Sequence, residues 1–168
     1  MPSRPPWLQP MRRAERALDD HEIRRILREG RICRVGLCHE DWPYVVPMNY
    51  GWSDGRIYLH SADRGTKLRL MESNPRVCFE VTGAAEVVPG TTACDATTRY
   101  ESVIGWGLVH VVRDEAERRA GLRALLAQHA LPEAGLPELL SSSVIVLRID
   151  PGFLSGKSSR QTSVAEAA

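Results

Sequence analysis

Apolar and polar positions alternate along much of this chain, and the period of the alternation changes from segment to segment. Between Asp19 or Asp20 and about Glu29 the apolar residues Ile23, Ile26 and Leu27 recur at helical spacing. This predicts a helix capped by one of the aspartates and ended by Gly30. Short strands follow. Ile32 to Cys38 is the first, His39-Glu40-Asp41 a turn, and Tyr44 to Trp52 the second, rich in β-branched and aromatic residues. Ser53-Asp54-Gly55 is a hairpin signal, because Asp-Gly supplies the positive φ angles of a tight turn. Arg56 to Ser61 is the third strand, with Ile57 and Leu59 on one face and Tyr58 and His60 on the other.

A helix from about Arg64 to Ser73 stops at Asn74-Pro75. Arg76 to Val88 predicts a fourth strand, broken near Gly83. Pro89 to Thr98 is a loop, and Arg99 to Val112 a long fifth strand containing Gly105 and Gly107. Glycines inside a strand point to a bulge or to close approach of a ligand or another backbone. Bare packing does not readily explain two so near each other. Asp114 caps a helix to about His129, with Ala120, Leu122, Leu125 and Leu126 apolar. Pro132 to Pro137 is a linker, Val144 to Ile149 a sixth strand, and Ser155 onward a polar tail. Six strands joined mostly by short turns predict a mainly β fold, an antiparallel barrel with peripheral helices. The helices are too few for a doubly wound parallel sheet, and a closed or split barrel removes exposed strand edges.

Composition narrows the picture without redirecting it. The chain has 168 residues, enough for one core, with 43% hydrophobic and 26% charged residues and a net charge of +1. That balance offers no basic stripe for nucleic acid or an anionic membrane. No apolar run reaches the roughly 18 residues of a membrane helix, and Met1 to Pro10 lacks the apolar core of a signal peptide, so the expected location is cytoplasmic. Residues 1–12 are expected to form a flexible arm, 13–157 the domain, and 158–168 a polar tail. Of the four cysteines, Cys33 and Cys38 fall on opposite faces of one strand, and no Cys-x-x-Cys or His-x-x-x-His pair occurs. Reduced, structural cysteines and no metal site are expected.

Three segments carry candidate chemistry. Leu59-His60-Ser61-Ala62-Asp63-Arg64-Gly65-Thr66-Lys67 runs from a strand into a helix start, with hydroxyls on Ser61 and Thr66 and positive charge on Arg64 and Lys67. That combination suits a terminal phosphate. The plain alternative is that Ser61 or Asp63 caps the helix and the cations are solvated. Val45-Val46-Pro47-Met48-Asn49-Tyr50 contains a proline that cannot donate to a ladder, which places it at an edge or bulge where free amides and carbonyls can meet a polar heterocycle. In Arg99 to Gly107, Tyr100, Ser102 and Ile104 share one strand face. His60 alone is more often a structural histidine, and no hydrolase triad is supported by order.

With these segments the sequence resembles the pyridoxamine 5′-phosphate oxidase-like split-barrel flavoproteins, and within them the nitroimidazole-resistance (Nim-type) reductases. The matching stretches are Arg31 to Leu37, Pro43 to Gly51, Ile57 to Ala62, Gly65 to Leu68, Asn74 to Glu80, Ala93-Cys94 and Arg99 to Gly107, in family order from about Arg13 to Lys157. The resemblance implies an FMN-binding, six-stranded antiparallel split barrel, working as a homodimer with FMN at the subunit interface. It implies phosphate contacts from Ser61 and Lys67, with Arg64 and Ala62 beside them, and ring contacts from Val46, Pro47, Met48 and Asn49. Tyr100 and Ser102 would support the flavin from the other subunit. His60 would lie near the ring as the catalytic residue, hydrogen bonding or supplying a proton. Family members also use FAD, deazaflavin or haem. The arginine-containing C-terminal substrate segment of the B6 oxidases has no equivalent in Gly156 to Arg160, which argues against vitamin B6 oxidation.

The leading expectation is an FMN-dependent oxidoreductase acting on nitro compounds or other small electrophiles. With no dinucleotide fingerprint, NAD(P)H would be a transient donor. The competing expectation is a non-enzymatic flavin carrier or sensor, or a haem-binding protein with His60 as ligand. A third is a fold relic with an empty pocket.

Overall fold

The computed structural model describes residues 4–92, 94–136 and 143–159. Its six strands are β1 (Ile32–His39), β2 (Trp42–Ser53), β3 (Arg56–Ala62), β4 (Arg76–Val88), β5 (Thr97–Val111) and β6 (Val144–Ser158). Three α-helices join them: α1 (Asp20–Glu29), α2 (Thr66–Ser73) and α3 (Glu115–Gln128). The strands close in the order β1-β2-β3-β6-β5-β4, every pair antiparallel, so the predicted barrel is the fold.

Inward positions of the strands bury one apolar cluster that includes Val35, Tyr50, Ile57, Leu59, Phe79, Val103 and Ile149. Helix α1 adds Ile23, Ile26 and Leu27 to it. A capping box starts α1: Asp19 accepts from the Glu22 amide at 2.8 Å and Glu22 accepts from the Asp19 amide at 3.2 Å. The buried Tyr50 hydroxyl donates to the Leu27 carbonyl at 2.7 Å and ties the helix to β2. Helix α3 crosses the outside of β2 and β3. A Cβ on Gly51 would lie 2.3 Å from the Ala124 carbonyl carbon, so only glycine lets the helix come that close. Leu122, Leu125 and Leu126 then form a second cluster with Tyr58 and Val146.

The split lies along β2. Residues Trp42 to Asn49 pair with β1, whereas β3 pairs only with Tyr50 to Ser53. Half of β2 therefore has one strand neighbour among the described residues. Pro47 sits in that half, opposite Arg34, in an unbroken register. It is at a local edge, as expected, but not at a bulge: the open side makes no demand on its missing N–H.

Several expectations are corrected. Packing does explain Gly105 and Gly107. A Cβ on Gly105 would lie 2.2 Å from the Phe79 ring, and one on Gly107 would lie 2.3 Å from the Asp150 carbonyl oxygen, beside a bulge in the β5–β6 ladder. Neither glycine is open to a ligand. The sixth strand does not stop at Ile149, and Ser155 does not begin a tail: β6 continues, pairing with β5 as far as Ser158, which is buried. Small residues there face a packed neighbour, which is why they read as polar coil. Ala120 is exposed rather than part of the apolar face of α3. The segment from Arg4 lies against β5 and β6, with the Arg4 guanidinium 5.9 Å from the Phe153 ring centroid and Trp7 edge-on to Trp106 at 6.3 Å. The expected break at Gly83 is a register shift between Thr82 and Ala84. Cys33 is buried and Cys38 exposed, as the face argument required, and all four cysteines are free. Ala93, the end of the expected linker at Pro137 and the expected tail beyond Ser159 lie outside the described residues.

Candidate functional site

Strand β3 ends at Ala62, opposite Val144 of β6, and the chain turns through Asp63, Arg64 and Gly65 into α2. Gly65 is the N-cap at φ 123°, a conformation that side-chain-bearing residues rarely adopt. No side chain caps this helix, so neither Ser61 nor Asp63 plays the plain capping role. The first amides of α2 thus lack a side-chain acceptor, and its first turn holds no acidic residue. Lys67, half-buried, and Arg64, exposed, make no ion pair among the described residues.

Ser61 stands at the edge of this turn with 4% of its surface exposed, and its Oγ has no hydrogen-bond partner. A buried hydroxyl left unpaired costs about 1–3 kcal/mol. An orphaned hydroxyl, an uncapped helix start and two unpaired cations occur within seven residues, from Ser61 to Lys67. Together they fit a phosphate ester: anion oxygens accept from amides and hydroxyl, and the cations balance the charge. Asp63 is the one group there that opposes an anion.

His60 is exposed near the end of β3, opposite Val146 of β6. Although part of the ring is exposed, burial of the remainder disfavours the imidazolium. The charges of Lys67 and then His129 disfavour it further, so His60 titrates below the ordinary histidine value. Of the β2 residues, Met48 is buried, Val46 half-buried, and Pro47 and Asn49 exposed, all in the half of the strand that lacks a second neighbour. Asn49 and His60 are the first residues beyond the Tyr50–Leu59 pair, where the β2–β3 ladder ends. The structure therefore places Val46 to Asn49 on the open half of β2 and His60 to Lys67 at the end of β3 and the start of α2, both just beyond the Tyr50–Leu59 pair.

It does not bring Tyr100 and Ser102 to them. Ser61 pairs with Ile145 near the start of β6, while Ser102 pairs with Lys157 near its end. At ~3.3 Å per residue that is roughly 40 Å of strand. Both side chains lie half-buried on the outer face of β5, along with Ile104 and Trp106. One residue near the site was not singled out by sequence: His129, which ends α3 and has a buried, unpartnered Nε2. Nothing in the local pattern marks it, because its position depends on how α3 crosses the barrel. No cluster of three or more His, Cys, Asp or Glu residues suited to a metal occurs among the described residues.

Comparisons with known proteins agree with this fold. A family profile described as pyridoxamine 5′-phosphate oxidase matches residues 19–158. An uncharacterised protein of Rhizobium meliloti is 29% identical over 108 residues, which span 56% of this chain and 68% of that protein. Among solved structures, a candidate 5-nitroimidazole antibiotic resistance protein of Bacteroides thetaiotaomicron superposes with a TM-score of 0.73 at 27% identity, over 84% of this chain and 86% of that one. An FAD-binding protein of Mesorhizobium loti superposes with a TM-score of 0.64 at 26% identity, over 86% of this chain and 98% of that one. The strand order, the split beside β2 and the extent of the profile match lead to one assignment: the chain belongs to the pyridoxamine 5′-phosphate oxidase-like split-barrel family.

Proposed function

We infer that the protein binds FMN at the β3–α2 turn and acts as a flavin-dependent oxidoreductase in a homodimer. The observation that carries this reading is the buried, unpaired Ser61 hydroxyl beside the uncapped start of α2 and the unpaired Lys67 and Arg64. Those residues would hold the phosphate. Val46 to Asn49 would hold the ring edge with backbone groups that no second strand occupies, and Met48 would close the apolar side. Bound there, the flavin would supply two-electron chemistry, a hydride taken from a reduced nicotinamide and electrons passed to a nitro group or another small electrophile.

His60 contributes a ring that is neutral at neutral pH, with one nitrogen donating and the other accepting. Its role is to orient the bound group and to exchange a proton with it. Tyr100 and Ser102 sit too far along β6 to serve the site of their own protomer. In a homodimer their outer β5 face, which also carries the exposed Ile104, packs on the partner and reaches the partner's site. The similarity to an FAD-binding protein and to a candidate nitroimidazole resistance protein supports the flavin and the substrate class.

Holoprotein whose flavin bands bleach with NADH or NADPH and return on adding a nitroimidazole supports the enzyme. A flavin that no nicotinamide reduces makes it a carrier or sensor. A second reading has one observation in its favour: His60 is exposed and its ring has no hydrogen-bond partner among the described residues, which leaves a nitrogen open to a haem iron. A Soret band from the isolated protein, lost in His60→Ala, selects that reading.

A further inference from the structure

The residues from Arg4 to Leu8 do not trail free. The Leu8 N–H donates to the Pro5 carbonyl at 3.0 Å, and the Arg4 guanidinium donates to the Leu8 carbonyl at 2.9 Å, closing the segment into a turn around Pro5-Pro6. The turn sets the Trp7 ring edge-on to Trp106 at 6.3 Å, and Trp106 lies 5.9 Å from the Phe153 ring. Trp7 is nevertheless 66% exposed. Ordering a large apolar side chain while leaving it in water costs entropy without the usual gain from burial. Between this turn and the outer faces of β1, β4 and β5 lies a cleft of about 780 Å³, within the roughly 300–1,000 Å³ common for small-molecule sites. Cys78 lines it, paired with Trp106 on one side and on the other with Gly36, which brings no side chain. Along the strands, Ile104 and Arg76 lie on either side of the Cys78–Trp106 pair, and the proposed partner protomer would border the cleft at Ile104. No described carboxylate lines the cleft, and Arg4 and Arg76 make no ion pair among the described residues.

We propose that this cleft binds a flat, apolar monoanion of the aromatic-carboxylate class, with its ring against the Trp7 and Trp106 indoles and its charge met by the Arg4 and Arg76 guanidiniums. Indole rings take a flat partner by stacking or by edge contact. A guanidinium takes a carboxylate through paired N–H donors. The charge balance decides against two other occupants. A second copy docked across a two-fold axis on the cleft would set Arg4 and Arg76 against their own copies, with no carboxylate lining the cleft to separate them. A cationic ligand would meet the same two guanidiniums. The cleft is also remote from the β3–α2 turn, because in the closed barrel β4 stands three strands from β3 in either direction. The proposal therefore goes beyond the flavin reading and does not rest on it.

The test titrates 2-naphthoate, and 2-naphthalenemethanol as its neutral counterpart, into the full-length protein and follows the indole N–H signals of the four tryptophans by NMR. Naphthoate is expected to move the Trp7 and Trp106 signals saturably and to leave Trp52, which lies beside α3 outside the cleft, in place. Wild type should prefer the acid to the alcohol by about 10-fold, the effect of one charge-assisted contact. The double variant Arg4→Gln with Arg76→Gln, both exposed residues, should lose that preference and keep its affinity for the alcohol. Trp7→Ala should weaken both ligands alike. Equal wild-type affinity for acid and alcohol, shifts that do not saturate, or indole shifts that follow protein concentration because a second copy fills the cleft, overturn the proposal. FMN added to the naphthoate-saturated protein separates the two readings. FMN uptake that displaces naphthoate overturns the separate cleft only, uptake without displacement supports both, and naphthoate binding without FMN uptake supports the cleft and sinks the flavin reading.

Discussion

At the scale of single residues, burial and charge decide which groups are chemically available. Cys33 has no exposed surface, and burial, with Glu80 and Cys78 adding to it, pushes its thiol up to about 12. Burial also raises Cys78, while Cys38 and Cys94 are exposed. Because the thiolate is the reactive species, iodoacetamide at pH 8 is expected to label Cys38 and Cys94 quickly, Cys78 slowly, and Cys33 only after unfolding; mass spectrometry of timed samples checks this. The same shift has a signed consequence for stability. A thiol that loses its proton less readily when folded contributes stability in full below its ordinary value of 9.0, and that contribution falls away as pH rises towards 12. Cys33→Ala should therefore show a smaller drop in melting temperature than wild type between pH 9 and 11. The candidate phosphate residues were legible from sequence because Ser61, Arg64 and Lys67 stand close together at a strand-to-helix junction. The absence of a cap on α2 was not, since Ser61 and Asp63 both look like caps until Gly65 is seen to occupy that position. His129 was invisible for a different reason: its place depends on how α3 crosses the barrel.

At the scale of elements, the packing between helices and barrel sets the precision of the site. Gln128 lies at the C-terminal end of α1, with its Nε2 within hydrogen-bond distance of the Leu27, Arg28 and Gly30 carbonyls, and its Oε1 accepts from the Trp52 amide at 3.3 Å. One side chain thus fastens α1, β2 and α3 together. Gln128→Ala takes this donor from the Arg28 and Gly30 carbonyls, while Leu27 keeps the Tyr50 hydroxyl, and is expected to cost about 1–3 kcal/mol, measurable by urea unfolding; a loss below about 0.5 kcal/mol would mean that water replaces it freely. Gly105→Ala drives a methyl group into Phe79, which is buried inside the barrel and has little room to give. A loss of about 1–3 kcal/mol is expected, and the double variant Gly105→Ala with Phe79→Leu should recover part of it. The sequence signalled irregularity at these glycines correctly but misread its cause, because a backbone needing space for a ring looks the same as one needing space for a ligand. Strand alternation located β1 to β5 to within a few residues. It truncated β6 because Pro151, Gly152, Ser155 and Gly156 resemble coil, and only pairing with β5 makes them strand.

At the scale of the whole molecule, the barrel divides the expected flavin contacts into two sets at opposite ends of β6. The strand count and short connections made the barrel legible in the sequence; the distance between the two sets was not, because it depends on which part of β6 each strand meets. The β2–β3–α2 set lies in one region of a protomer, and the proposed shared site would take the other set from the outer face of a partner's β5. Ile104→Glu places a charge on that face without touching the barrel interior. The account expects it to yield a folded monomer by sedimentation and to weaken FMN binding; a monomeric wild type that binds FMN with undiminished affinity would contradict the shared site. No helix among the described residues is long and apolar enough to cross a membrane. The most direct test of the central claim compares FMN with riboflavin, which lacks the phosphate, by titration into flavin-free wild type, Ser61→Ala and Lys67→Ala. Each charge-assisted contact is worth about 1.5–3 kcal/mol, so wild type should prefer FMN by at least about 10-fold, and Lys67→Ala should remove most of that preference while leaving riboflavin binding unchanged. Equal affinity of wild type for FMN and riboflavin, or full FMN affinity in Lys67→Ala, would show that the β3–α2 turn does not hold the phosphate.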